Sequence, residues 1–219
     1  MNKFYKINKI LQWIIAVIMF IIMLAIFTIW MKIVVKNSLG FFLIFIVAPL
    51  WQFFTTPFFR LIGLYRYLSP MLLVFGASDK KYDLHNGTSF DYLFVMRKYK
   101  PGIKLRQKNL EYYLSGLLRI VEKIENKSLF ENVIVRGSSY FLSDRTAKRV
   151  GFQLSKTNIV EKLNILANYL DLIWMYSLAQ GELVFPSLKN IKTAEIKGTD
   201  LVANKTKLKA LFSFLRRNE

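Results

Sequence analysis

The stretch ILQWIIAVIMFIIMLAIFTIWM, Ile10 to Met31, runs for 22 residues without a charge. A helix needs about 20 such residues to cross the hydrocarbon core of a bilayer. Trp13 and Trp30 stand near its two ends, where amphipathic aromatic rings favour the membrane–water boundary. The run is too long for the apolar region of a cleaved signal peptide, and no small-x-small cleavage site precedes Lys32. It reads as a permanent anchor.

A second run, LGFFLIFIVAPLWQFFTTPFF from Leu39 to Phe59, stays uncharged until Arg60. Pro49 is expected to kink this helix, and Pro57 to end it or break it again. With KIVVKNS between them, the spans at about residues 10–31 and 39–59 predict a transmembrane helical hairpin over residues 1–59. Lys3, Lys6 and Lys9 precede the first span and Arg60 and Arg66 follow the second, against Lys32 and Lys36 in the loop. That excess places both termini in the cytoplasm. Residues 60–76 are expected to form an interfacial amphipathic connector, with Arg60 and Arg66 at headgroup level beside Tyr65 and Tyr67. A third span from Leu61 to Phe75 is the alternative, and it would put the C-terminal part of the chain on the opposite side of the membrane.

The rest of the chain has a different composition. Of 219 residues 53% are hydrophobic and 21% charged, which requires the apolar residues to be concentrated in one region. Met1 to Gly76 holds seven basic residues and no acid, whereas from Ala77 onward 25 basic residues meet 14 acidic ones, a net +11. Residues 77–203 therefore predict a water-soluble α+β domain with two main amphipathic helices and a short sheet. The Ile-, Lys-, Asn- and Phe-rich composition points to a bacterium, and so to the cytoplasmic (inner) membrane.

Within the domain, KKYDLHNGTSFDYLFVMRKY from Lys80 to Tyr99 reads as a β-hairpin turning at Asn86-Gly87. Gln107 to Glu125 is an amphipathic helix with Leu110, Tyr113, Leu114, Leu117, Val121 and Ile124 on one face. Phe130 to Val135 is a strand. Thr157 to Gln180 is a long helix, capped by Thr157 and Gly181, whose stripe is Val160, Leu163, Ala167, Leu170, Trp174 and Leu178. The apolar LIWMY in its second half predicts a buried core position or docking on a partner or membrane. Leu183 to Phe185 is expected as a short strand. Residues 204–219 form a basic amphipathic helix, with Lys205, Lys207, Lys209, Arg216 and Arg217 flanking an apolar face suited to anionic lipid.

The absence of cysteine excludes disulfides, thiolate metal sites and cysteine nucleophiles, and a lone histidine, His85, excludes a multi-histidine metal site. No GxxxxGK[ST], GxGxxG, GxSxG or HExxH occurs, so no cofactor is expected. Asp171, among apolar residues, is read first as a helix-surface acid, with a buried acid of functional pKa as the alternative. The remaining candidate is RGSSYFLSDRTAKRVGF, Arg136 to Phe152, in which a strand feeds a glycine turn and a basic helix capped by Ser143. Arg136, Ser138, Ser139, Arg145, Lys148 and Arg149 are its candidate anion- or partner-binding residues. TAKRVGF is similar to the closing motif of GNAT acetyltransferases, but the loop those enzymes use for the coenzyme A pyrophosphate is absent, and the family is not assigned.

These features predict a membrane-tethered, non-catalytic binding or scaffold protein of a cell-envelope assembly. Its expected partners are anionic lipid headgroups and another membrane or envelope protein, or a second copy of itself. An enzyme acting on a lipid-linked or nucleotide-linked anionic substrate is the alternative, and a membrane-permeabilising toxin or defence effector a further one. Nucleic acid ranks below lipid, because the basic charge comes with no recognition motif.

Overall fold

The computed structural model describes residues 3–138, 144–188 and 191–217. The candidate Ser139 and the expected helix cap Ser143 lie outside the described residues.

Among the described residues two helices are long and apolar enough to cross a membrane: α1 (Lys9–Lys36) and, after a 3-10 turn at Ser38–Leu43, α2 (Ile44–Leu61). They pack as a hairpin. Ala16, Met23 and Trp30, at seven-residue intervals, face inward from α1, while most of its other side chains are exposed apolar groups. The tip closes on Gly40, where any Cβ would meet the Ile33 side chain at 2.7 Å. That approach lets the Trp30 indole N–H donate to the Gly40 carbonyl at 2.9 Å in a buried setting. Trp30→Phe removes this donor and is expected to destabilise the chain by about 1 kcal/mol in thermal unfolding. Pro49 and Pro57 both lie inside α2, which continues to Leu61. The expected break is absent at this level: the Thr55 and Thr56 hydroxyls donate back to the Trp51 and Gln52 carbonyls at 2.7 and 2.5 Å and support the turn before Pro57.

The remainder is a mixed α+β structure around a six-stranded sheet. Its strands are β1 (Tyr65–Ser69), β2 (Leu72–Phe75), β3 (Lys81–Asn86), β4 (Ile134–Ser138), β5 (Gln153–Lys156) and β6 (Lys192–Lys197), in spatial order β1-β2-β3-β4-β6-β5. Among the described residues only β3 and β4 are parallel, and the chain between them supplies the crossover helix. That chain contains α3 (Ser89–Asp91), a π turn at Tyr92–Met96 and α4 (Ile103–Glu125). Beyond β4 come α5 (Asp144–Arg149), α6 (Ile159–Ala167), α7 (Tyr169–Gln180), α8 (Gly198–Ala203) and α9 (Lys205–Arg217).

The expected connector at 60–76 is not a helix. Residues 65–75 form the β1–β2 hairpin, whose edge is sealed against β3 through pairs such as Leu73↔His85 and Val74↔Leu84. Alternation along β1 sends Arg66 to the face opposite Tyr65 and Tyr67, so the two arginines do not share one surface. Arg60 instead lies over the rings of Tyr5 and Tyr67, 3.5 and 4.4 Å from their centroids, at the root of α2. Tyr67 donates to Asp91 at 2.5 Å, and Asp91 closes a capping box with Thr88. That box explains why Asn86-Gly87 does not turn a hairpin. Gly87 N–H is taken by the Met71 carbonyl at 2.8 Å, and Thr88 starts a helix.

One face of the sheet carries Leu72, Val74, Tyr82, Leu84, Val135, Ala194 and Ile196, and it packs with α4, α8 and α9 into the main core. On α4 the expected stripe is buried, except that Leu110 is half-buried. Leu208 and Leu215 of α9 join this core and Leu211 and Phe212 pack against it. The apolar face of the C-terminal helix is therefore consumed by the protein and is not free to enter lipid. Lys207, Lys209, Arg216 and Arg217 face solvent, and Lys205 pairs with Glu125 at 2.7 Å.

The long helix expected over Thr157 to Gln180 is two helices. Asn168, whose amide donates to the Asn164 carbonyl at 2.9 Å, separates α6 from α7, and Asn158 rather than Thr157 is the N-cap. Its apolar stripe faces outward at Val160, Leu163, Leu170 and Trp174, which are exposed, while Asp171, Leu172, Met175 and Ala179 are buried. The helix ends at Gly181 as the pattern implies. Leu183 to Phe185 forms no strand; Val184 N–H donates to the Ser177 hydroxyl at 3.0 Å and both Leu183 and Phe185 are exposed.

Candidate functional site

Alternation along the strands gives the second face of the sheet a polar centre. Asp83 and His85 of β3, Arg136 and Ser138 of β4 and Thr193 of β6 share it, because Asp83 pairs with Arg136 and Ser138 with Thr193. The sequence predicts a glycine turn after Val135, but Gly137 lies within β4. A Cβ there would sit 2.9 Å from the Leu84 carbonyl, so glycine permits the close approach of the two parallel strands.

Arg136 is fixed from two sides. Its Nε donates to Asp83 Oδ1 at 2.8 Å, and its Nη2 donates to Glu161 Oε1 on α6. The Thr193 hydroxyl donates to the other Glu161 oxygen at 2.9 Å. Glu161 sits in the first turn of α6, where the helix dipole favours a carboxylate, and its N–H is capped by Asn158 at 2.8 Å. Lys81 adds a contact to Asp83 at 2.8 Å. Arg136 is thus committed to two protein carboxylates, which leaves little positive potential for an incoming anion.

Three adjoining cavities open over this face, with His85 and Asn164 lining each of them. The largest, about 360 Å³, lies between the α1–α2 hairpin, the sheet and α6. Its walls differ in chemistry. Phe27, Trp30, Val47 and Trp51 form an apolar side, and Gln52, His85, Asn86, Asn164 and Asn168 a polar one. A second, about 130 Å³, reaches Asn86, Ser138 and Asp171, and a third, about 220 Å³, reaches Arg136, Glu161 and Thr193. Among the described residues lining these cavities Arg136 is the one cation, against Asp83, Glu161 and Asp171. The groove is acidic on a strongly basic protein.

His85 is exposed to the groove; partial desolvation by the surrounding walls, opposed by Asp83 and Glu161 and assisted by Arg136, lowers its pKa from the ordinary value. Asp171 is 8% exposed, which corrects its reading as a surface acid. Desolvation raises its pKa to about 6, with a smaller opposing effect from the nearby Ser89. Neither Asp171 Oδ2 nor the Ser89 hydroxyl completes a hydrogen bond of ordinary geometry, and both amide atoms of Asn86 are likewise buried without a partner.

Of the candidates read from sequence, Arg136 and Ser138 line the groove. Arg145, Lys148 and Arg149 do not: they are exposed on α5, whose Ala147 faces the core on the other side of the sheet. Asp144, the first residue of that helix, pairs with Lys192. Asn86, Asn164, Asn168 and Gln52 are groove residues that no sequence signal marks, since they come from three separate segments and carry no motif. No known family model, curated protein or solved structure matches the chain.

Proposed function

We propose that the chain is a membrane-tethered, non-catalytic binding protein of the bacterial inner membrane, anchored by the apolar α1–α2 hairpin. Its groove receives the polar head of a membrane amphiphile. The observation that carries this reading is the two-sided wall of the largest cavity: bilayer-length apolar helices on one side, a polar sheet face on the other. An amphiphile has the same division, and a pocket of a few hundred Å³ is of the size that encloses a small ligand or head. The outward stripe of α6 and α7, with Ile159, Val160, Leu163, Leu170 and Trp174 exposed beside α2, supports the same placement. On a bilayer these side chains would enter the headgroup–acyl boundary next to the hairpin.

The cysteine-free chain makes the test direct. Single cysteines replacing Ile18 on α1, Leu163 on α6 and Lys207 on α9 are labelled with an environment-sensitive dye in reconstituted vesicles. Quenching by spin-labelled lipid is expected at residues 18 and 163 and not at 207. A water-like signal at 163 alone would detach the groove from the bilayer, and one at 18 as well would end the membrane reading. An enzyme acting at the membrane surface is a second reading, favoured by His85 and Asp171 on the wall of one cavity; turnover of a lipid-linked or nucleotide-linked substrate would select it.

A further inference from the structure

We infer that the head bound in the groove is uncharged and rich in hydroxyl groups, as on a glycosylated diacylglycerol. The inference rests on the groove being an amphiphile site and deepens that reading. Three features of the groove select among head chemistries.

The first is charge. A phosphate-bearing head would need positive potential, yet Arg136 is already engaged by Asp83 and Glu161. Asp171 adds a further acid to the lining. An anion placed there is repelled by carboxylates at short range in a partly desolvated space.

The second is the hydrogen-bonding inventory. Asn86 presents both Nδ2 and Oδ1, buried and without partners, and lines two of the cavities. It therefore offers a donor and an acceptor from one side chain. A phosphate oxygen only accepts and would leave Asn86 Oδ1 unsatisfied. An ammonium only donates and would leave Nδ2 unsatisfied. A hydroxyl does both, and neighbouring hydroxyls on one ring can answer both atoms of an amide together.

The third is the company Asn86 keeps. Gln52, Asn164 and Asn168 add amides along the same wall, reached from α2 and from the α6–α7 joint. Asp171 Oδ2 lies buried and unpartnered at the inner end. Its raised pKa keeps part of the population protonated near neutrality, and such a carboxyl can donate to or accept from a hydroxyl. Beside this wall, Trp30, Val47 and Trp51 supply apolar and aromatic surface for the glycerol end and first acyl carbons.

The test uses the full chain in nanodiscs that contain equal amounts of a glucosyl diacylglycerol, phosphatidylglycerol and phosphatidylethanolamine with matched acyl chains. Lipid retained on the protein after release is identified by native mass spectrometry. The glucosyl lipid is expected to be enriched about tenfold over the other two, an affinity difference of the size one or two buried hydrogen bonds provide. Asn86→Leu should abolish the enrichment. Asn164→Leu, on the more accessible α6, should do the same and serves if Asn86→Leu does not fold; circular dichroism melting checks both. Arg145→Ala, exposed on α5 away from the groove, should leave the enrichment within about twofold. Retention of phosphatidylglycerol or phosphatidylethanolamine with the same dependence on Asn86 would overturn the head chemistry and leave the groove as an amphiphile site. No lipid enriched above its bulk share would overturn both.

Discussion

Arg136→Met is expected to lower the stability of the folded chain by about 2 to 3 kcal/mol, measured by denaturant unfolding in lipid or detergent. The cause is the charge left behind. Asp83 and Glu161 face each other across the site of the guanidinium, with side chains 34% and 26% exposed. Removing the cation leaves two carboxylates in partial desolvation, repelling one another. Full burial would place the loss at about 3 to 5 kcal/mol, and the remaining solvent access brings it below that range. Because the penalty comes from the orphaned acids, it should be reversible. The triple variant Arg136→Met, Asp83→Asn, Glu161→Gln should recover most of the lost stability. Arg136→Lys should fall between, since one ammonium cannot reproduce a fork that reaches β3 and α6 at once. A loss below about 1 kcal/mol for Arg136→Met would mean that water already screens the cluster, as at an ordinary surface ion pair.

The same cluster shows how far the sequence could be read. Arg136 was identifiable as a candidate because it ends an apolar strand before glycine. Its partners were not, because Asp83 and Glu161 lie 53 and 25 residues away and meet it only through the parallel β3–β4 pairing and the capped start of α6. The helices α1, α2, α4 and α9 were legible, since each carries either a long uncharged run or a regular apolar stripe. Residues 65–75 were not: a five-residue and a four-residue strand have too few positions for alternation to outweigh their apolar content. Orientation is what the apolar pattern leaves open. The stripe on α6 and α7 was visible in the sequence, but apolar periodicity says only that a helix face avoids water. It cannot say whether that face meets a protein core or lies exposed beside an apolar hairpin, and in this fold it is exposed while Asp171 turns inward.

Asp171 accordingly gives the protein a pH-dependent stability whose sign is opposite to that of a salt-bridged acid. Its folded pKa of about 6 lies above the reference value of 3.8, so the folded state binds the proton more tightly than the unfolded chain. The contribution is fully favourable below about pH 4 and is lost as pH rises through about 6. With about 1.4 kcal/mol for each pKa unit, ionisation at neutral pH costs on the order of 3 kcal/mol. Asp171→Asn removes the ionisation and keeps the shape. At about pH 7.5 it should therefore be more stable than the parent by about 2 to 3 kcal/mol, and the two should converge near pH 4. His85 acts in the other direction, because its lowered pKa penalises protonation as pH falls below its ordinary range. The parent chain alone would show both effects overlapping, whereas the difference between parent and Asp171→Asn isolates one. An equal stability gain at both pH values would show that the carboxylate is solvated and the benefit is generic. A gain confined to neutral pH would identify Asp171 as an acid that the fold holds at a cost on the wall of the groove, where a ligand hydroxyl could offset that cost.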